Sequence, residues 1–189
     1  MPYESPVIEI EAITHRKDPY FQALYPWSNE SFILLVSWEA EILRELQSKF
    51  PIVRQLNLMP DTVGSHAIIS VKNRDKGETR QIMLSTLINN VYIKRVIVVD
   101  DDIDVYNLRE VEWAVATRSQ PDTDLLIIPG LKGSALDPSA KPNYLTAKMG
   151  LDATKPLGQE EKFEKIDVPQ NVRERMSNIL EKYLKSKDF

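Results

Sequence analysis

Between residues 66 and 128 of this 189-residue chain, short apolar runs alternate with stretches whose apolar residues recur at helical spacing. His66-Ala-Ile-Ile-Ser-Val-Lys72, Arg95-Val-Ile-Val-Val99 and Asp124-Leu-Leu-Ile-Ile128 read as strands, the second buried and the third another apolar run. Residues 78–90 carry Met83, Leu84, Leu87 and Ile88 on a helical face. Asn107 with Glu110 three positions on makes a capping-box-like start to a second helix, whose inner face is Leu108, Val111, Ala114 and Val115. Strands joined by helical crossovers run parallel, so the pattern predicts an α/β fold: a largely parallel sheet with helices on both faces.

The flanks are less regular. Residues 7–13 alternate apolar with acidic side chains, which predicts a half-exposed strand ending in the turn at 14–19, and such a strand needs a partner. The run Phe32-Ile-Leu-Leu-Val36 predicts another covered strand. Trp38, Ile42, Leu43, Leu46 and Phe50 then predict a helix, with Ser37 as N-cap and Pro51 as its stop. Beyond Pro129 the glycines and prolines Gly130, Gly133, Pro138, Pro142, Gly150, Pro156 and Gly158 predict a long irregular segment, the kind of loop that carries function. From Pro169 a last helix gathers Val172, Met176, Ile179, Leu180, Tyr183 and Leu184 on one face.

Charge and cysteine usage narrow the classes. Lys and Arg number 24 against 28 Asp and Glu, so the basic excess of a phosphate-tracking protein is missing and nucleic acid is not an expected partner. With no cysteine there is no disulfide framework, thiolate metal site or cysteine nucleophile. No apolar stretch approaches the roughly 20 residues of a membrane span, and the acidic amino terminus does not suit a signal peptide. The expectation is a soluble, cytoplasmic protein.

Candidate chemistry is sparse. Asp100-Asp101-Asp102-Ile103-Asp104 follows a buried strand, where open α/β sheets place ligands, and such carboxylates can hold magnesium or calcium. The spacing lacks a closing bidentate Glu, so a strand end, acidic turn and helix cap explain the run better. A phosphoaspartate receiver would need its acidic pair at the first strand, and this cluster comes too late. His15 and His66, the only histidines, lack metal-pair spacing and read as a turn residue and a strand-edge residue. No nucleophile elbow, phosphate-binding P-loop or dinucleotide fingerprint is present. Lys148, in the irregular segment, is a point charge suited to a phosphate, though a solvated surface lysine fits that position better.

Three stretches together carry a family resemblance. They are Ala12-Ile-Thr-His-Arg-Lys-Asp-Pro19, then Val98-Val-Asp-Asp-Asp-Ile-Asp-Val105 running on through Trp113-Ala-Val-Ala-Thr-Arg118, and then Ile127-Ile-Pro-Gly130 to Leu136-Asp-Pro-Ser139 with Lys148-Met-Gly-Leu-Asp-Ala-Thr-Lys-Pro156. In order and spacing they resemble the carboxyl-terminal region of the UbiD-like decarboxylases, which use prenylated flavin mononucleotide.

The resemblance implies one strand of a flavin-binding split barrel and its turn over residues 1–22, a carboxyl-terminal α/β domain over 23–160, and an oligomerisation helix over 161–189. It matches Lys148 to a cofactor-phosphate contact and Met149, Gly150, Leu151, Asp152, Ala153 and Thr154 to a substrate-cavity wall. It gives the acidic run a structural role. The family's catalytic acids, its arginine and its metal ligands fall in a preceding flavin-binding half, so no catalytic or metal residue is expected in this chain and no flavin on it alone. The implied whole is a carboxy-lyase acting on aromatic or α,β-unsaturated acids, in which the flavin stabilises the electron pair left by carbon dioxide. The implied partners are that flavin-binding half and a second copy, in a homodimer or higher symmetric oligomer through the last helix. The other reading of the same residues is a noncatalytic oligomerisation or regulatory module.

Overall fold

Alternation along the central strands gives the protein two apolar cores, one on each side of a single sheet. The computed structural model describes residues 6–21, 23, 30–72, 75–163 and 168–185. Their elements run α1 (Glu30–Lys49), β1 (Val53–Leu58), β2 (His66–Val71), α2 (Lys76–Asn89), β3 (Arg95–Asp100), α3 (Leu108–Arg118), the single turn α4 (Pro121–Asp124), β4 (Leu125–Lys132), β5 (Leu145–Ala153) and α5 (Gln170–Lys185). The sheet order is β1-β2-β3-β5-β4. β2, β3 and β5 are parallel, and the two edge strands run against them.

On one face Ala67, Ile69, Val71, Val96 and Val98 pack under α1 and α2 through Leu35, Ile42, Leu46, Ile82, Met83 and Leu87. On the other, Ile68, Ile97, Val99 and Ala153 meet Val111 and Ala114 of α3 and the loop residues Ile103 and Val105. The α/β sheet with helices on both faces is therefore the observed fold. Asn107 caps the start of α3 as the sequence suggests, accepting from the Arg109 amide, and Asp75 caps the start of α2, accepting from the Gly77 amide; Ser37, expected as an N-cap, lies inside α1. Glu39 of α1 accepts from the Leu58 amide at 2.7 Å and ties that helix to the edge strand β1.

Several local expectations are corrected. Residues 7–13 form no strand among the described residues, and Val7 is 95% exposed. Their alternation calls for a neighbouring strand, and no described residue supplies one. The run at 32–36 belongs to α1: Leu35 is buried while Ile33, Leu34 and Val36 face outward. The apolar strand expected at 124–128 is present as the half-exposed edge β4, which continues to Lys132 past Gly130, a glycine in the left-handed region. The irregular segment after Pro129 contains β5, a central strand. The terminal helix is present as α5, and none of its residues is buried. No helix among the described residues is long and apolar enough to cross a membrane.

Candidate functional site

The two ends of the parallel strands carry different chemistry. At the carboxyl end the acidic run is folded into a closed charge network. Arg118, the last residue of α3, has a fully buried side chain. Its Nη1 donates to Asp100 at 2.9 Å and to Asp102 at 2.8 Å, and its Nη2 donates to Asp102 at 2.8 Å and to the Phe163 carbonyl at 3.1 Å. Lys155 adds its backbone amide to Asp100 and its ammonium to Asp102. Burial would raise the Asp102 carboxyl, but the bonds from Arg118 and Lys155 outweigh it and hold it at about 2. Asp100 lies deeper, and there burial prevails and pushes its carboxyl up. Among the described residues no group of three or more His, Asp and Glu could hold a metal ion, and Asp100 and Asp102 are engaged by Arg118 and Lys155.

At the amino end Lys148 stands on β5 and not on a loop. It is 2% exposed, and its ammonium donates to the carbonyls of Leu87 at 2.8 Å and Asn90 at 2.5 Å. Those are carbonyls that the end of α2 leaves without intrahelical donors, and a cation there also suits the helix dipole. Burial lowers the pKa of this lysine. The residues that follow α2, Val91 and Tyr92, enter the wall of a cavity of about 560 Å³. Its other walls include Trp38, His66, Lys94, Leu136 and Asp137. Trp38 and Tyr92 stack with ring centres 5.2 Å apart. Lys94 pairs with Asp137 at 2.7 Å and donates to Ser139 at 2.6 Å. Those bonds, from Lys94 first and Ser139 next, hold the Asp137 carboxyl at about 2. Burial, followed by the charges of Arg95 and Lys94, lowers the pKa of His66. His15 lies on the exposed segment, with its Nδ1 2.7 Å from the Arg16 carbonyl.

The remaining site residues lie along β5. Alternate side chains of a strand point to opposite faces, so Met149 to Thr154 cannot all line one cavity. Gly150 sits where an added Cβ would be 2.8 Å from Met83 Sδ of α2, whereas Ala153 belongs to the core under α3. Asp152 accepts from the Thr154 amide and hydroxyl, and both residues are buried. None of residues 149–154 lines the cavity beside Trp38 and Tyr92. The cavity residues Trp38, Tyr92 and Lys94 carry no sequence motif. Asp137 stands inside the Leu136-Asp-Pro-Ser139 motif that helped carry the resemblance, and that motif was its one available signal.

Comparison with known proteins decides the family. The model of the 3-octaprenyl-4-hydroxybenzoate carboxy-lyase C-terminal domain matches residues 31–153, which include all five strands. The chain belongs to the UbiD-class carboxy-lyase family. It is 39% identical over 168 residues to the anhydromevalonate phosphate decarboxylase of Methanothermobacter thermautotrophicus, a match covering 86% of this chain and 39% of that enzyme. The UbiD-class enzyme HmfF of Pelotomaculum thermopropionicum, solved with FMN, superposes with a TM-score of 0.70 at 34% identity, over 74% of this chain and 32% of that one. The vanillic acid decarboxylase of Sedimentibacter hydroxybenzoicus in its open form gives 0.69 at 34% identity, over 92% of this chain and 38% of that one. The chain thus spans about a third to two fifths of the length of these UbiD-class relatives. The Lys148 ammonium, which the resemblance matches to a cofactor-phosphate contact, rests on two carbonyls at the end of α2.

Proposed function

We propose that this chain is the carboxyl-terminal component of a UbiD-class carboxy-lyase that removes or adds carbon dioxide on an aromatic or α,β-unsaturated carboxylic acid. Its active site is completed with a flavin-binding half that holds prenylated FMN and its metal ions. The observation that carries this reading is the match of 86% of the chain to a decarboxylase of which it covers 39%. In this reading the acid–arginine–acid set comes from the flavin-binding half, and the ion pairs of Arg118 with Asp100 and Asp102 and of Lys94 with Asp137 are structural. In this account residues 1–22 belong to the flavin-binding domain, where the alternation of 7–13 finds its partner strand. Residues 23–160 form the α/β domain, and the helix within 161–189 joins subunits in a cytoplasmic homodimer or higher symmetric oligomer.

Lys148 contributes one donor to the cofactor phosphate, since an ammonium has three N–H groups and two are directed at Leu87 and Asn90. The carboxyl end of β5, Met149 to Thr154, supports the substrate cavity from beneath. Co-expression with a UbiD-class flavin-binding half tests the reading: co-elution with flavin absorbance supports it, and a chain that elutes alone contradicts it. In the reconstituted complex Lys148→Met is expected to lower flavin retention. A noncatalytic module of the same family is the second reading. It is favoured by the closed Asp100–Asp102–Arg118–Lys155 network, which leaves that end of the sheet to structure alone.

A further inference from the structure

The connection from β4 to β5 supplies one wall of the cavity through Ser134, Leu136, Asp137 and Pro138, while Trp38 and Tyr92 belong to its other walls. Residues 134–140 form a self-contained turn. The Asp137 amide donates to the Ser134 carbonyl at 3.2 Å and the Ala140 amide to the Asp137 carbonyl at 3.1 Å. The Leu136 amide donates to the Ser134 hydroxyl and the Ser139 amide to the Asp137 carboxylate. The base of the turn is pinned, with the Gly133 amide on the Tyr144 carbonyl at 2.7 Å and the Lys141 amide on the Leu145 carbonyl at 2.8 Å. Between those anchors none of residues 134–140 is buried, so core packing does not hold the turn against the domain.

One lysine holds it instead. Lys94, just before β3, donates to the Asp137 carboxylate at 2.7 Å and to the Ser139 hydroxyl at 2.6 Å. Among the described residues the only other polar tie from 134–140 to the rest of the domain is the Thr146 hydroxyl, 3.5 Å from Asp137. The Lys94 and Asp137 side chains keep 37% and 17% of their exposure, so dissolved ions reach the pair. The base of the turn is also strained. Asn143 and Tyr144 lie consecutively in the left-handed region, at φ 64° and 59°. Asparagine tolerates that conformation, whereas a bulky tyrosine adopts it only where surrounding contacts enforce it.

We infer that the turn at 134–140 is a flap on the cavity, latched by the Lys94–Asp137 pair and Ser139, and that breaking the pair swings it away from the Trp38–Tyr92 wall. The bonds from Lys94 and Ser139 hold the Asp137 carboxyl at about 2, so at neutral pH the latch stays charged and answers to competing ions and not to protons. The inference stands on the cavity and its loop, independent of the carboxy-lyase reading.

The chain contains no cysteine, so a single introduced thiol reports the flap. Leu136→Cys, at a position 82% exposed, carries a bimane fluorophore, which an indole at close range quenches. The share of quenching due to Trp38 is the part lost in Trp38→Phe. The labelled whole chain is expected to show clear Trp38-dependent quenching at low salt. Lys94→Met and Asp137→Asn are each expected to cut that quenching by at least half. So is potassium chloride at about 1 M, where the screening length is about 3 Å, and the salt effect is expected to vanish in Asp137→Asn. No Trp38-dependent quenching at low salt overturns the inference. So does quenching unchanged in both latch variants, or a salt effect as large in Asp137→Asn as in the labelled parent. If a latch variant does not fold, the salt series on the labelled parent decides: loss of quenching supports the flap, and constant quenching overturns it.

Discussion

Arg118 grips Asp102 with both arms of its guanidinium, Nη1 on Oδ1 and Nη2 on Oδ2 at 2.8 Å each, and the same Nη1 reaches Asp100 at 2.9 Å. The grip joins the end of α3 to the loop after β3. Trp113 covers it, its ring centre 5.0 Å from the guanidinium carbon. A planar fork suits this site, because its two terminal nitrogens match both oxygens of the Asp102 carboxylate side by side while also reaching Asp100 and the Phe163 carbonyl.

Removing that fork strands two carboxylates in a half-buried site. Arg118→Met is expected to cost about 3–5 kcal/mol of stability, and Arg118→Lys is expected to recover only part of it. Urea denaturation of the three proteins checks this, and a wild-type midpoint for Arg118→Met would remove the network from the fold's supports.

The same network sets an acid limit. Asp102 is held at about 2 against an ordinary 3.8, so its contribution is complete above the ordinary value and is lost as pH falls towards 2. Asp137 adds a loss in the same window. Asp100, raised by burial, works the other way: its contribution is lost as pH rises through its raised value. Denaturation midpoints are expected to fall between about pH 4 and pH 2, less steeply in Asp102→Asn.

Lys148 gives a separable effect. Lys148→Met keeps much of the apolar stem but leaves the Leu87 and Asn90 carbonyls without their donor, an expected cost of about 1–3 kcal/mol. Hydrogen exchange should quicken at the end of α2 and along the cavity wall at Val91 and Tyr92, with the α3 face unaffected. Uniform protection along α2 in the variant would show that the lysine does not brace that terminus.

Helix α5 presents Met176, Ile179, Leu180, Tyr183 and Leu184 to solvent, each more than half exposed or at the halfway mark. An apolar stripe of that length is expected to be covered by a second copy. Replacing Ile179 and Leu180 together with Asp should shift the protein towards monomer on light scattering. An oligomer unchanged by both replacements would place the interface elsewhere.

Much of this architecture is legible in the sequence, and the reasons differ by element. β2 and β3 are buried on both faces, so their apolar continuity survives in the local pattern. β5 is equally central yet reads as irregular, because Lys148, Gly150 and Asp152 interrupt it for reasons that lie elsewhere in the chain. One caps α2, one makes room for Met83, and one accepts from Thr154. β1 escapes the pattern because an antiparallel edge with a register shift between Val53 and Gln55 leaves Arg54 and Gln55 exposed, while the buried Asn57 donates to the Val105 carbonyl at 2.8 Å. The run at 32–36 misleads because only Leu35 of its described side chains turns inward, and helical spacing cannot be seen in one turn. The Asp100–Arg118 network was foreshadowed only as an acidic turn, since its basic partner is 18 residues away. The cavity is built from residues of α1, β2, the segment after α2 and the loop after β4, which no local motif brings together.

The central claim is that this chain completes a flavin-dependent carboxy-lyase. Its most direct test is co-expression with a UbiD-class flavin-binding half in cells that make prenylated FMN, followed by size-exclusion chromatography with absorbance detection and carbon dioxide release from an aromatic acid. The two polypeptides are expected to co-elute with flavin absorbance and to release carbon dioxide, while the chain alone does neither. A chain that elutes apart from the flavin half, or a complex that carries flavin yet releases no carbon dioxide from any aromatic or unsaturated acid, would contradict it.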